Sequence, residues 1–274
     1  MTADTDLKNR VQNFYDIGSP YFLELWGGHI HDCLYVTGKE TRQEAQENVI
    51  RLLAEKAEIK PGAKILDIGC GIGGSSIYLA KNLDTQMTGI TISPVQVAMA
   101  SSLAEQAGVS ANFFTMDAEN IQLQQTFDYL WMIGVLTHLT QQKKFIKNSV
   151  KLLKPGGRFV FLDWMIGDHL NKKDYSKFIN PIKRGMVTKY MYTLDDYLTW
   201  FTTSGYRIVY SEDITSGTLR TWDIMWSIAK KRASWQLATA KGVEFIHLIW
   251  AIKKMRDAMH KGKMRCCVAV FEKN

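Results

Sequence analysis

The sequence predicts an α/β fold built on a doubly wound, mostly parallel sheet of seven strands. Two observations carry this prediction. Short apolar runs alternate with amphipathic helical patterns through the middle of the chain, which is typical of a parallel sheet covered by helices on both faces. A glycine-rich loop follows the first apolar run, at the edge where such sheets bind ligands. A length of 274 residues suffices for one such domain with additions.

Seven apolar segments are the predicted strands of this sheet. Helical patterns such as SSIYLAKNL and KKFIKNSVKLL lie between the first five. The stretch LKPGG at 153–157 is predicted to end a helix and turn into the fifth strand, because proline and glycine interrupt helices. Cys266 and Cys267 are neighbours in the last strand and are expected to face opposite sides of the sheet. The predicted strands are 64–68, 86–91, 111–115, 127–132, 157–163, 206–211 and 265–271.

The segment of about 50 residues between the last two strands is predicted to be helical. Its apolar side chains recur at helical spacing in two groups, which are Trp222, Met225, Trp226 and Ala229, then Phe245, Leu248, Ile249, Ile252 and Met255. We expect these helices to cover the sheet edge where ligands bind, together with residues 164–200 and the first 40 residues. The concentration of tryptophan in this part of the chain favours an aromatic-lined pocket.

Composition and cysteine usage bound the class of protein. The composition is that of an ordinary globular protein, and the polar start MTADTDLKNR lacks the apolar stretch of a signal peptide. No segment approaches 18 consecutive apolar residues. The four cysteines form neither a CxxC pair nor a metal-finger spacing. We therefore expect a cytoplasmic protein with reduced cysteines and no membrane span.

The formal net charge of +7 is distributed unevenly. Residues 1–170 carry 15 Lys and Arg against 18 Asp and Glu, whereas residues 171–274 carry 19 against 9. A basic C-terminal part favours an anionic substrate, nucleic acid or a membrane surface, with a solvated lysine-rich face as the alternative.

The glycine-rich loop AKILDIGCGIGGSS places a carboxylate directly before its glycines. Gly69, Gly71 and Gly74 match GxGxxG, a pattern that alone would suit a dinucleotide. Asp67 at the strand end would repel a pyrophosphate, and it suits a ligand with an ammonium group. No acid follows about 20 residues later, where a nicotinamide dinucleotide needs one for its ribose.

With these residues in place, the sequence resembles the class I S-adenosylmethionine-dependent methyltransferases, in the branch of tocopherol-type and natural-product enzymes. The resemblance covers residues 45–165 and rests on LDIGCGIGG, GITISPVQ, MDAENI, FDYLWMIGVLTHL and LLKPGGRFVF. It implies a Rossmann-like core with helical lid insertions and S-adenosyl-L-methionine as cofactor, with S-adenosyl-L-homocysteine (SAH) as product. It divides the chain into an N-terminal helical lid over the cofactor (1–40), the cofactor-binding core (41–165), and a substrate-binding helical cap with the last strands (166–274).

The resemblance also implies which residues bind the cofactor. Thr91 stands where many relatives have a ribose-binding acid, so the ribose contacts shift to the backbone of Thr91 and Ile92 and to the Gln96 side chain. Asp117 accepts from the adenine amino group, and Ala118 contributes backbone. The implied cofactor-binding residues are Tyr15, Asp67, Gly69, Gly71, Gly73, Thr91, Ile92, Gln96, Asp117, Ala118 and Ile133.

Two residues at strand ends are candidates for the chemistry. Methyl transfer from a sulfonium requires a positioned nucleophile and, for a hydroxyl, ammonium or carbon acid, removal of a proton. His138 follows the fourth strand and Asp163 ends the fifth, and sugar O-methyltransferases of the branch use such a pair as base and orienting carboxylate. A structural histidine remains the alternative. Gly134 stands where several relatives have a glutamate.

The N-terminal stretch FYDIGSPYFLELWGGHIHDCLY resembles the lid opening of tocopherol-type enzymes, in which Tyr15 leans on the methionine end of the cofactor. His29, His31 and Asp32 could also be metal ligands, but the sequence identifies no further ligand, and we expect no metal.

Three classes of function remain at this point. We expect an enzyme that methylates N, O or C of a small-molecule, specialised-metabolite substrate by in-line displacement, with His138 as base. An RNA or other nucleic-acid methyltransferase using the basic C-terminal part is the alternative, although WMIG replaces the Asn/Asp-Pro-Pro-aromatic run of base-modifying enzymes. A cofactor-binding scaffold is the third. We expect no nucleic-acid partner, and a homo-oligomer is compatible with the sequence.

Overall fold

The computed structural model describes residues 3–274. Seven strands and eleven α-helices follow one another along the chain, with a π-helical turn at Tyr175–Ile179 and short 3₁₀ turns. In chain order they are α1 (Ala3–Trp26), α2 (Arg42–Lys56), β1 (Lys64–Ile68), α3 (Gly74–Leu83), β2 (Gln86–Thr91), α4 (Pro94–Ala107), β3 (Ala111–Thr115), β4 (Phe127–Ile133), α5 (Gln142–Ser149), β5 (Leu153–Ile166), α6 (Lys172–Asp174), α7 (Asn180–Gly185), α8 (Leu194–Thr202), β6 (Tyr206–Asp213), α9 (Thr215–Ala229), α10 (Arg232–Lys241), α11 (Val243–Met259) and β7 (Met264–Lys273).

All seven strands form one sheet in the order β3-β2-β1-β4-β5-β7-β6. The first five strands of the chain pair in parallel, and β7 runs antiparallel between β5 and β6. This confirms the predicted fold class. The strand order reverses between β1 and β4, so the loops after these two strands open the crevice in which sheets of this type bind ligands.

The sheet separates two apolar cores. The larger one lies under α2, α7, α9 and α11, and the other lies under α5 and α8. Cys266 packs into the first and Cys267 into the second, which confirms that these neighbours face opposite sides. All four cysteines are buried and free.

Strand β5 is longer than predicted and begins at Leu153, so LKPGG belongs to the strand and not to a helix end. Helix α5 already ends at Ser149 and is followed by a 3₁₀ turn. Leu153 pairs with Phe127 of β4 and Arg158 pairs with Tyr129, so the residues of β5 between them, which include both glycines, bulge out of the ladder. At its other end β5 continues to Ile166 because Met264 of β7 pairs with that residue.

Helix α1 and the helices between β6 and β7 meet above the carboxyl edge of the sheet. Phe14 of α1 stacks on Phe245 of α11 with ring centroids 5.5 Å apart, and Arg10 forms an ion pair of 3.0 Å with Glu244. The predicted helical insertion is confirmed as α9, α10 and α11. Among the described residues, no helix is long and apolar enough to cross a membrane.

Candidate active site

The loop after β1 admits no side chain at its first glycine. Gly69 has φ +75°, and a Cβ placed there would lie 2.3 Å from Val135 Cγ2. The amides of Gly69 and Cys70 both donate to the Ile90 carbonyl, at 2.7 and 3.0 Å, which fixes the loop against β2. A ligand can therefore approach the backbone here more closely than any side chain would allow.

Asp67 ends β1 beneath this loop as a buried carboxyl. Its Oδ2 accepts from Ser76 Oγ at 2.6 Å, and burial raises its pKa to about 7. It lines a cavity of about 360 Å³ between the glycine loop and residues 28–31. A Cβ on Gly74 would lie 2.2 Å from the Gly28 carbonyl oxygen, so the two segments touch. A cation bound in this cavity would lower the pKa of Asp67.

A second cavity, of about 800 Å³, adjoins the same loop. Nine of the eleven residues expected to bind the cofactor line it, and they are Tyr15, Gly69, Gly71, Thr91, Ile92, Gln96, Asp117, Ala118 and Ile133. The Thr91 hydroxyl donates to Gln96 Oε1 at 2.6 Å, and Gln96 Nε2 donates to Ser19 Oγ at 3.0 Å. These bonds connect the end of β2 to helix α1 across the cavity wall.

Lys8 of α1 bridges two carboxylates at the rim of this second cavity. Its ammonium lies 2.6 Å from Asp117 Oδ2 and 2.7 Å from Glu119 Oε2. Burial lowers the pKa of Lys8, but the hydrogen bonds to the two carboxylates outweigh this effect and raise it. Sequence reasoning missed Lys8, because 109 residues separate it from Asp117.

Gly73 is the one predicted cofactor-binding glycine that the structure places away from these cavities. It precedes α3 with φ +85°, and a Cβ there would lie 3.0 Å from Ala100 and 3.1 Å from Phe113. Its small size serves the packing of α3 against α4 and β3.

A third cavity, of about 1330 Å³ of empty space, lies between α1, the sheet edge and the helices α9–α11. Apolar and aromatic side chains dominate its wall, and none of its lining residues is Lys or Arg. The wall includes residues that the sequence placed at helical spacing, and these are Trp222, Met225, Ala229, Phe245, Leu248, Ile249 and Ile252.

His138 and Tyr15 line both the second and the third cavity. His138 lies in a 3₁₀ turn after β4, and its Nδ1 is 3.2 Å from the Val187 carbonyl oxygen. Because a carbonyl only accepts, Nδ1 carries the proton and Nε2 is free to accept. Nε2 accepts from the Tyr15 hydroxyl at 3.0 Å. Burial lowers the pKa of His138 to about 4, so the ring is neutral near pH 7.

Asp163 does not pair with His138 as the sequence analysis expected. The carboxyl is fully buried, and it accepts from the Thr137 hydroxyl at 3.1 Å and from the Trp164 amide at 2.7 Å. It thereby holds the turn that carries His138, while Val187 and Tyr15 orient the ring itself. Burial raises the pKa of Asp163 to about 7.

His29 and His31 lie side by side with ring centroids 5.5 Å apart. Within residues 3–274, no group of three or more His, Cys, Asp and Glu side chains is arranged to hold a metal ion. Burial lowers the pKa of His29 to about 4 and that of His31 to about 3, so both rings are neutral.

Known proteins resemble this chain in sequence and in fold. Tocopherol O-methyltransferase from Arabidopsis thaliana is 31% identical over 75% of this chain, and the match spans 62% of that enzyme's length. The 27-O-demethylrifamycin SV methyltransferase from Amycolatopsis mediterranei is 27% identical over 78% of this chain and 79% of its own. The solved mycolic acid cyclopropane synthase CmaA1, in complex with SAH and CTAB, superposes with a TM-score of 0.86 over 97% of this chain and 98% of its own, at 18% identity.

A family profile decides the relationship. The profile described as mycolic acid cyclopropane synthetase matches residues 3–203, which include α1, the glycine loop and the turn of His138. The match covers most of the chain and all of the first five strands. The chain therefore belongs to the mycolic acid cyclopropane synthetase family.

Proposed function

We propose that the chain is an S-adenosyl-L-methionine-dependent methyltransferase that acts on N, O or C of a small molecule of specialised metabolism. The observation that carries this proposal is the position of Tyr15 and His138, which line both the cavity at the glycine loop and the large apolar cavity. A donor in the first cavity and an acceptor in the second would meet at these two side chains. Relatives named as tocopherol and rifamycin methyltransferases support the reaction class.

S-adenosyl-L-methionine is the cofactor, and the residues at the glycine loop fit it. Asp67 offers a buried carboxylate to an ammonium group, and Gly69 keeps its surroundings open to a ligand. When bound, the cofactor would supply an activated methyl group, which a nucleophile would take by in-line attack on the methyl carbon with SAH as the leaving group. Asp117 and Gln96 stand at the wall of the adjoining cavity as hydrogen-bonding groups for the adenosine part.

His138 is the proposed base. Its unprotonated Nε2 is the atom that accepts a proton from a hydroxyl, amine or carbon acid of the substrate, in place of the Tyr15 hydroxyl. The Val187 carbonyl holds the proton on Nδ1 and so keeps Nε2 available. Asp163 acts as a positioning residue, because it holds the turn through Thr137 without touching the ring.

The large cavity is the proposed acceptor site. Its aromatic and aliphatic wall excludes water from the reacting atoms, which methyl transfer requires. In the part of the chain that the structure describes, no Lys or Arg lines this cavity, so the basic charge of the C-terminal part does not reach its wall. A nucleic acid or a prenyl diphosphate would find no cation in the cavity, which disfavours the nucleic-acid alternative.

The division into a lid (1–40), a core (41–165) and a cap (166–274) is part of this proposal, as is a cytoplasmic location. Helix α1 contributes Lys8, Val11 and Tyr15 to the lining of the cofactor cavity, as a lid would, and its Ser19 accepts a hydrogen bond from Gln96 of that lining. A homo-oligomer stays a prediction of the sequence analysis.

The first test is release of SAH by the purified chain offered S-adenosyl-L-methionine and a substrate panel. The panel contains amines and guanidines, phenols and glycosides, indoles, prenyl diphosphates and bulk tRNA. We expect turnover on an uncharged or cationic small molecule, since the acceptor cavity has no cationic wall. Turnover on tRNA alone would contradict the proposal and make the basic C-terminal part the substrate-binding feature.

A further inference from the structure

The large apolar cavity contains one polar cluster that the reaction does not use. Asp32, His31 and Trp222 all line this cavity, and Asp32 is only 2% exposed. Trp164 and Trp222 pack edge to face beside the carboxyl, with ring centroids 5.5 Å apart. Tyr15 and His138 line the same cavity but form their hydrogen bonds with each other and with Val187. The cluster is therefore separate from the proposed base.

Three polar atoms of this cluster have no hydrogen-bond partner in good geometry. Asp32 Oδ2 accepts from the Trp164 indole at 2.6 Å, but Asp32 Oδ1 is buried and unpaired. The His31 Nδ1 donates to the Asp32 carbonyl oxygen at 2.7 Å, so its Nε2 is an acceptor, and this atom is also unpaired. The Trp222 indole N–H faces the carboxyl without a well-aligned acceptor. Buried polar atoms are rarely left without a partner, so the cluster is suited to a ligand.

The charge of the cavity restricts which ligand group fits. Among residues 3–274, Asp32 is the only acidic residue that lines it, and no Lys or Arg does. Burial raises the pKa of Asp32 to about 6, while the two indole N–H groups act in the opposite direction. At pH 8 the carboxyl is ionised, so an anionic group would be repelled and a hydrogen-bond donor attracted.

We propose that Asp32 is a specificity-determining residue of the acceptor site and that its free Oδ1 binds a hydrogen-bond donor, a hydroxyl or an amine, on an otherwise apolar substrate. The statement that Asp32 belongs to the acceptor site rests on the proposed methyltransferase function. The binding of a donor group by Asp32 does not rest on it, because this binding requires no methyl transfer. His31 Nε2 offers a second acceptor to an amine, and the Trp222 N–H offers a donor to a hydroxyl oxygen.

The variant Asp32→Asn makes a sharp test because its geometry is dictated. The Trp164 N–H requires an acceptor, so the amide oxygen of the new side chain takes the place of Oδ2. The amide NH₂ then occupies the position of Oδ1, and the free acceptor becomes a donor. A purely structural role for Asp32 would weaken all ligands alike, whereas the proposed role predicts a change of preference.

The experiment measures dissociation constants of 1-octanol, octylamine and octanoate by isothermal titration calorimetry at pH 8, on the full chain and below micelle formation. In the unmodified protein we expect octanol and octylamine to bind more tightly than octanoate. In Asp32→Asn we expect the ratio of the octanoate to the octylamine dissociation constant to fall at least fivefold. The control is Asp195→Asn, an exposed carboxylate at the start of α8, which should leave the ratio unchanged.

Two results overturn the proposal. The first concerns the unmodified protein: octanoate binds at least as tightly as the other two probes, or no probe binds at all. The other is a ratio in Asp32→Asn that stays within fivefold of the unmodified value. If the variant does not fold, the ranking in the unmodified protein decides alone. A separate titration with SAH distinguishes this proposal from the proposed methyltransferase function. If SAH does not bind, the cofactor site is refuted, while the order of affinities of the three probes still tests Asp32.

Discussion

Tyr15 Oη lies 3.0 Å from His138 Nε2, so a helix at the start of the chain contacts the turn after the fourth strand. The two rings meet edge to face, with centroids 5.6 Å apart. This pair lies at the boundary between the cavity at the glycine loop and the large apolar cavity, since both residues line both. It also fixes the protonation of the imidazole, since the hydroxyl donates to Nε2 while Nδ1 donates to Val187.

Removing the imidazole tests its role as base. We expect His138→Ala to lower kcat for a hydroxyl acceptor by roughly 100-fold or more, the size typical of general-base catalysis. The affinity for SAH should change little, because the predicted cofactor contacts remain. Tyr15→Phe should lower kcat less, since it removes a hydroxyl but leaves Nε2 free. Rates under saturating donor and acceptor, with SAH titrated calorimetrically, check both variants. Unchanged turnover in His138→Ala would remove the base assignment.

The pH profile offers a second test of the same ring. The pKa of His138 is lowered from 6.5 to about 4 by burial, so the base form is present at any pH well above 4. We expect kcat at saturating substrates to stay level from pH 8 down to about 5.5 and to fall only below that. A histidine in an ordinary environment would instead lose activity through pH 6.5. Because burial raises the pKa of Asp163 to about 7, the same profile is measured in Asp163→Asn, and an inflection near 6.5 that persists there would contradict the lowered pKa of His138.

Sequence reasoning could predict those parts of the site that depend on short sequence motifs. The glycine loop, its carboxylate and the strand ends follow from short motifs, and the structure places Asp67, Gly69 and Gly71 at cavity walls. The pairing of His138 with Asp163 was expected because adjacent strands bring both to one edge. The directions of both side chains are set by tertiary contacts: Asp163 of β5 accepts from Thr137, and the ring of His138 in the 3₁₀ turn faces Val187 and Tyr15.

Long-range contacts left no local signal. Lys8 reaches Asp117 across 109 residues, and Asp32 reaches Trp164 across 132. Neither pair follows from periodicity, because each depends on how α1 and the segment after it lie over the sheet. The extension of β5 to Leu153 was missed for a related reason, since its pairing with β4 overrides the local preference of Pro and Gly for turns.

A comparison of alanine variants at two glycines with the same φ separates the effect of backbone strain from that of a steric clash. Gly69 and Gly62 both have φ +75°, but a Cβ on Gly62 would meet nothing within 4 Å, whereas one on Gly69 would meet Val135. We expect both alanine variants to lose about 1 kcal/mol or more of stability from the left-handed conformation. Only Gly69→Ala should lose SAH affinity, by at least tenfold, because the loop must move away from Val135. Calorimetric titration and thermal melting of the two variants make the comparison. Equal SAH affinities would show that Gly69 does not shape the cofactor cavity.

Asp67 should destabilise the ligand-free protein at high pH. Burial raises its pKa from 3.8 to about 7, so the folded protein binds a proton that the unfolded chain releases between these values. The folded state is therefore favoured at low pH, and this advantage is lost as the pH rises through 7. At pH 8 the ionised carboxylate costs up to about 4 kcal/mol of folding stability, from roughly 1.4 kcal/mol per pKa unit.

We expect Asp67→Asn to raise the melting temperature of the ligand-free protein at pH 8 and to raise it much less at pH 5. The same variant should bind SAH more weakly. The exposed Asp195→Asn serves as the matched control and should change neither quantity. If Asp67→Asn is destabilised at pH 8 but still binds SAH normally, Asp67 stabilises the loop through Ser76 and does not bind the ammonium group of the cofactor.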